Sequence, residues 1–126
     1  RKFARAALTG DTNLEIWGDG EQTRSFMYID DCVQGTKDIL HGDLTEPVNL
    51  GSSELVSINQ MVDLLEQISG TVVTRHYKLD APQGVRGRNS DNTLFHATYG
   101  WEPSITLRTG LEKTYEWIFD QLKAQG

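Results

Sequence analysis

The sequence predicts one α+β domain over residues 1–126, and three observations carry that prediction. Short β-prone runs, one ending at Ile16-Trp17 and one over Thr71–Tyr77, are bounded by glycine turns. Helical patterns, with apolar residues at three- and four-residue spacing, lie between and after them. No Gly-x-Gly-x-x-Gly or Gly-x-x-Gly-x-x-Gly run joins a strand to a helix, so these residues spell no dinucleotide-binding turn.

In chain order, residues 2–9 are rich in helix formers and stop at Gly10. Gly18-Asp19-Gly20 predicts a tight turn between two strands, because glycine tolerates the positive φ that close turns demand. The second of these strands carries Arg24. Asp30 or Asp31 then caps a helix through about Leu40, with Val33, Thr36, Ile39 and Leu40 as its inner face. Asp31 and Gln34 have capping-box spacing, which explains the acid pair without catalysis or metal. Pro47–Leu50 reads as a short buried strand ending at Gly51.

Ser57 and Gln60 form a capping box for the next helix, whose stripe is Ile58, Met61, Val62, Leu65 and Ile68, closed by Gly70. Lys78–Asn92 is an irregular polar loop, since Pro82, Gly84 and Gly87 forbid a long helix. A short helix runs over Thr93–Tyr99 and stops at Gly100. The last helix starts at Thr109, boxed by Glu112, with Leu111, Tyr115, Ile118 and Leu122 on one face.

Composition narrows the function. A net charge of −6 gives no basic footprint for a phosphate backbone, so nucleic acid is excluded as the main partner. No apolar run approaches the ~20 residues of a membrane span, and no secretory leader is recognisable. The single cysteine, Cys32, permits no internal disulfide and fits a reducing cytoplasm. It reads as a small buried apolar residue in a first helical turn rather than a reactive thiol. His41, His76 and His96 show no metal-ligand spacing. The chain opens on Arg1 directly in a helical pattern, which predicts a piece of a longer protein.

Two arginine-bearing loops remain, Gln22-Thr23-Arg24 and Arg86-Gly87-Arg88-Asn89. A guanidinium fork grips phosphate bidentately, and cationic loops without neighbouring acids in an acidic chain suit a small anion. The bland alternative is a set of solvated, salt-bridged surface arginines, which are common and weak. No Tyr-x-x-x-Lys and no Ser/His/Asp spacing offers a catalytic group.

The run Trp17-Gly18-Asp19-Gly20-Glu21-Gln22-Thr23-Arg24-Ser25-Phe26-Met27-Tyr28-Ile29-Asp30-Asp31 resembles the substrate-domain signature of extended short-chain dehydrogenase/reductases, the NAD-dependent nucleotide-sugar epimerases and dehydratases. Pro47–Ser52 and Gly100-Trp101-Glu102-Pro103 follow in that family's order. Glu46–Ser52 and Gly84–Asn92 most resemble its GDP-mannose 3,5-epimerase branch, although Ala6 stands where that branch suggests a lysine. The resemblance spans nearly the whole chain. It implies the C-terminal substrate-binding part of an extended Rossmann-type enzyme, with the Rossmann core absent from these residues.

By the same resemblance, Gln22, Thr23 and Arg24 contact a GDP-hexose-like nucleotide-sugar, with Arg24 near its pyrophosphate. Arg88 holds phosphate or sugar, and Arg86 can exchange roles with it. NAD, the catalytic tyrosine-lysine pair and the acid/base residues belong upstream of Arg1, so no cofactor and no catalytic residue is expected here. Cys32 does not match the family's catalytic cysteine. The intact enzyme is expected to be a homodimer. The Val48–Leu50 strand and the first helix are expected to lean on the nucleotide domain, leaving this chain alone prone to self-association. The rival readings are the same portion of a UDP- or dTDP-sugar epimerase or dehydratase, and a free-standing ligand-binding or interaction module.

Overall fold

The computed structural model describes all residues, Arg1–Gly126. Its elements run α1 (Lys2–Thr9), β1 (Asn13–Trp17), β2 (Thr23–Arg24), α2 (Ile29–His41), β3 (Val56–Ser57), α3 (Ile58–Ser69), β4 (Thr74–Lys78), β5 (Gly87–Arg88), α4 (Thr93–Tyr99) and α5 (Leu107–Gln125). The mixture of helices and small sheets is the α+β architecture expected.

The core forms where α1, α3 and α5 meet the β1–β4 pair. In β1 the period-two alternation buries Leu14 and Ile16 and turns Glu15 and Trp17 outward. Those two residues pack with Phe3, Val62 and Val73, flanked by Ile58, Leu65 and Tyr115. β1 and β4 run parallel, in register from Asn13↔Thr74 to Trp17↔Lys78. A second apolar centre is aromatic: Phe95 is fully buried, 4.8 Å from Tyr99 and 5.2 Å edge-on from Trp101. The Trp101 indole N–H donates to Asp38 at 2.6 Å, tying this centre to α2.

β2 is the middle strand of a second, small sheet, antiparallel to β3 and parallel to β5. β1 and β2, joined by the glycine turn, therefore belong to different sheets. The first turn of α3 fixes that turn. Asn59 donates its backbone N–H to Gly20 O at 2.9 Å and its side-chain amide to Asp19 O at 3.2 Å. The Ser57–Gln60 capping box forms in full, with bonds of 2.8 and 3.0 Å. Gly10, Gly70 and Gly100 all end their helices in the left-handed conformation at the expected positions.

Four expectations need correction. Residues 47–50 form no strand, because these residues find no partner strand for their backbone groups. α2 begins at Ile29 with Tyr28 as its N-cap, and neither Asp30 nor Asp31 caps it. Asp31 instead accepts from the backbone N–H groups of Ser104 and Ile105, both at 2.9 Å, while Gln34 donates forward to Asp38. The inner face of α2 is at Gly35, packed against Leu50, whereas Val33 and Leu40 are 49% and 74% exposed. α5 begins at Leu107, where Thr106 supplies the cap by accepting from Thr109 N–H, and Glu112 pairs with Arg108 at 3.1 Å.

Candidate functional site

The Gly18-Asp19-Gly20 turn, β2 and the loop into β5 converge on one end of the small sheet. Thr23 pairs with Gly87 and Arg24 with Arg88. Paired residues of a parallel ladder point to the same face, so Arg24 and Arg88 leave the sheet side by side. The expected strand over residues 71–77 lies at Thr74–Lys78, so the irregular loop begins after Lys78, and up to Asn92 it is irregular as expected except at this two-residue pairing.

The pairing needs glycine at 87. A Cβ there would lie 2.7 Å from Thr23 Oγ1. Thr23 is thus committed to the strand pair: its N–H donates to Arg86 O at 2.8 Å, and its hydroxyl lies 3.5 Å from the same oxygen. The Arg24 guanidinium is half-buried and braced by backbone oxygens, Thr23 O at 2.7 Å and Gln83 O at 3.1 Å. No carboxylate pairs with Arg24 or Arg88. The far end of the loop is anchored by Asn92, buried and donating to Gly51 O at 2.8 Å, and by Ser90 N–H on Ser52 O at 3.3 Å.

Arg86 differs. Its guanidinium forks onto Asp19, with three contacts of 3.0 to 3.2 Å. The Arg86 fork, helped by the Glu21 backbone N–H, holds the Asp19 carboxyl below its usual range, and Asp19 raises Arg86 in turn. The expectation of arginine loops without neighbouring acids is therefore corrected for Arg86: its acid is distant in sequence and adjacent in space. Asp19 and Asn92 are the residues that sequence reading missed. Asp19 sits in a turn motif and Asn92 before a helix, and neither position announces a long-range partner.

Gln22 lies inward of Arg24, only 7% exposed. Its Nε2 donates to Trp17 O at 2.8 Å, while its Oε1 is buried with no hydrogen-bond partner. It lines a largely apolar cavity of about 480 Å³, walled by Leu14, Ile16, Trp17, Ile58 and Met61, with Arg1 and Lys2 among its lining residues. A buried amide oxygen without a donor is costly, and a ligand N–H would satisfy it. The turn glycines do not fit a dinucleotide pyrophosphate. They connect two strands rather than a strand and a helix, and the side chains of Gln83 and Asn59 stand where a Cβ at Gly18 or Gly20 would project. No group of three or more metal-ligating side chains is present. No helix is long and apolar enough to cross a membrane.

This α+β lobe matches the C-terminal portion of extended short-chain dehydrogenase/reductases. The chain belongs to the family described as GDP-mannose 4,6 dehydratase, whose model matches residues 1–114. It is 45% identical over 123 residues to GDP-mannose 3,5-epimerase 1 of Oryza sativa subsp. indica, which covers 98% of this chain and 32% of the rice protein. Among solved structures, the UDP-glucose 4-epimerase of Thermotoga maritima, with UDP-glucose, superposes with a TM-score of 0.86 at 31% identity, over 96% of this chain and 39% of that one. The UDP-glucuronic acid 4-epimerase of Bacillus cereus, in complex with UDP-glucuronic acid and NAD, gives 0.83 at 33% identity, over 95% and 38%. The chain thus spans about a third of the length of the curated relative.

Proposed function

We propose that this chain is a single substrate-binding domain of an NAD-dependent nucleotide-sugar epimerase acting on a GDP-hexose. The observation that carries the proposal is the in-register placement of Arg24 beside Arg88, neither engaged by a carboxylate. Two guanidiniums on one face, neither neutralised by a carboxylate, suit the two phosphates of a nucleoside diphosphate. Arg86 is the neighbour that can join them. The cavity takes the flat base, with Gln22 Oε1 accepting from a ring or exocyclic N–H. Thr23 contributes backbone placement more than its hydroxyl.

NAD and the hydride-transfer residues belong to the two thirds of the relatives' length that this chain does not span. When bound, NAD would supply transient oxidation of the hexose and return of the hydride. These residues supply grip and orientation only. The first helix is not the expected exposed apolar surface, because its Phe3, Ala4 and Ala6 are buried in this chain's own core. On this reading the isolated chain self-associates through the exposed Val33 and Leu40 side of α2 instead, and the intact enzyme is a homodimer. A single cysteine suits a reducing cytoplasm.

The test uses the full-length protein that contains this chain, with GDP binding measured by calorimetry. Each charge-assisted contact is worth roughly 1.5–3 kcal/mol, so Arg24→Ala and Arg88→Ala should each weaken GDP by about tenfold or more. Unchanged affinity in both returns them to solvated surface cations. A UDP-sugar is the second reading, favoured by the likeness to the two UDP-sugar epimerase structures, and UDP binding tighter than GDP would establish it.

A further inference from the structure

We infer that Asp19 is the clamp's internal counter-anion, holding Arg86 until a phosphate of the ligand takes its place. The inference deepens the proposed nucleotide-sugar reading and rests on it. Of the three arginines on the two loops, only Arg86 has a carboxylate, and that carboxylate presents two oxygens to its fork, as a phosphate would.

Exchange leaves neither partner stranded. The Arg86 backbone is fixed, because its carbonyl accepts from Thr23 N–H at 2.8 Å, so the side chain can swing while the loop stays. Asp19 keeps a second donor, the Glu21 backbone N–H at 2.9 Å, and its turn is pinned by Asn59. Both side chains are well exposed, 64% for Arg86 and 46% for Asp19, so water screens the pair and holds it weakly. A diphosphate brings more charge than one carboxylate and lies beside Arg24 and Arg88 as well. In the absence of ligand, Asp19 offsets one of three clustered cations. When ligand arrives, it yields Arg86 and becomes a nearby negative charge that opposes retention.

The experiment is GDP calorimetry on the full-length protein, comparing wild type with D19N, R86A and the double variant. Asparagine keeps an oxygen for the Glu21 N–H, so the turn is retained, and D19S serves as a second variant. D19N is expected to bind GDP about two- to fivefold more tightly, the range an exposed ion pair can withhold. Inorganic pyrophosphate should show the same gain, and R86A should abolish it. Unchanged or weaker binding in both Asp19 variants, or a gain that persists without Arg86, overturns the inference. R24A in the same series separates the two levels. Lost GDP affinity there leaves the proposed function standing whatever D19N does, and retained affinity in both R24A and R88A removes both.

Discussion

Gly87→Ala is the sharpest perturbation of the clamp, because it adds one methyl group and no charge. The new Cβ would stand 2.7 Å from Thr23 Oγ1, where ordinary contact begins at 3.4 Å, so one partner must move by about 0.7 Å. Threonine is stiff at χ1, and β5 is a two-residue strand at the sheet edge, so β5 is the part that yields. Arg88 moves with it, away from its register with Arg24. A bidentate grip tolerates little such misplacement. We expect GDP to bind about tenfold more weakly, roughly 1.4 kcal/mol, by calorimetry on the full-length protein. The unfolding midpoint should barely change, because β5 carries no core residue. Thr23→Ala in the same chain removes the obstructing hydroxyl and should restore affinity. Wild-type binding by Gly87→Ala, or failure of Thr23→Ala to rescue it, would refute the reasoning.

Further tests address the frame and the charges. Ser57→Ala removes the α3 cap and should cost about 1 kcal/mol, read as a lowered urea midpoint in chemical denaturation. Asp19 has its carboxyl lowered first by Arg86, so its contribution is present above the unfolded carboxyl value and is lost as pH falls through the lower folded value. An NMR titration should place its midpoint below the reference 3.8, and Arg86→Ala should bring it back up. Val33→Glu with Leu40→Lys, both at exposed positions of α2, should leave stability within about 0.5 kcal/mol and abolish self-association of the isolated chain in sedimentation. Persistent oligomers in that double variant would place the sticky surface elsewhere.

What was legible in the sequence is what depends on neighbours a few residues away. The Ser57–Gln60 box, the helix over Thr93–Tyr99 and the glycine stops at 10, 70 and 100 are local contests, and local chemistry decides them. Asp31 failed as a cap because two backbone donors more than seventy positions away outbid its own helix. Thr106 outcompeted Thr109 for the α5 cap because it alone has the extended backbone that presents its hydroxyl to the turn. Residues 47–50 have a strand's composition, yet a strand exists only with a partner, and composition does not report one.

The same limit governs the site, and it shows why the arginines could be found before their arrangement. Residue type raised Arg24, Arg86 and Arg88 as candidates beside the alternative of solvated surface cations, and the family resemblance gave them their expected roles. Their division of labour required the fold. Chain closure sets Arg24 against Arg88 through β2 and β5, and it sets Arg86 against Asp19 through the glycine turn. An arginine with a carboxylate and an arginine without one look identical in the sequence, because the nearest acid in space is distant along the chain. The glycines, by contrast, were informative in both senses: Gly18 and Gly20 shape the turn that carries Asp19, and Gly87 lets β5 approach β2 closely enough to bring the guanidiniums together. Of the 12 basic side chains only Arg75, Arg86 and Arg108 meet a carboxylate, so a missing counter-charge does not by itself single out Arg24 and Arg88; their in-register placement on neighbouring strands does.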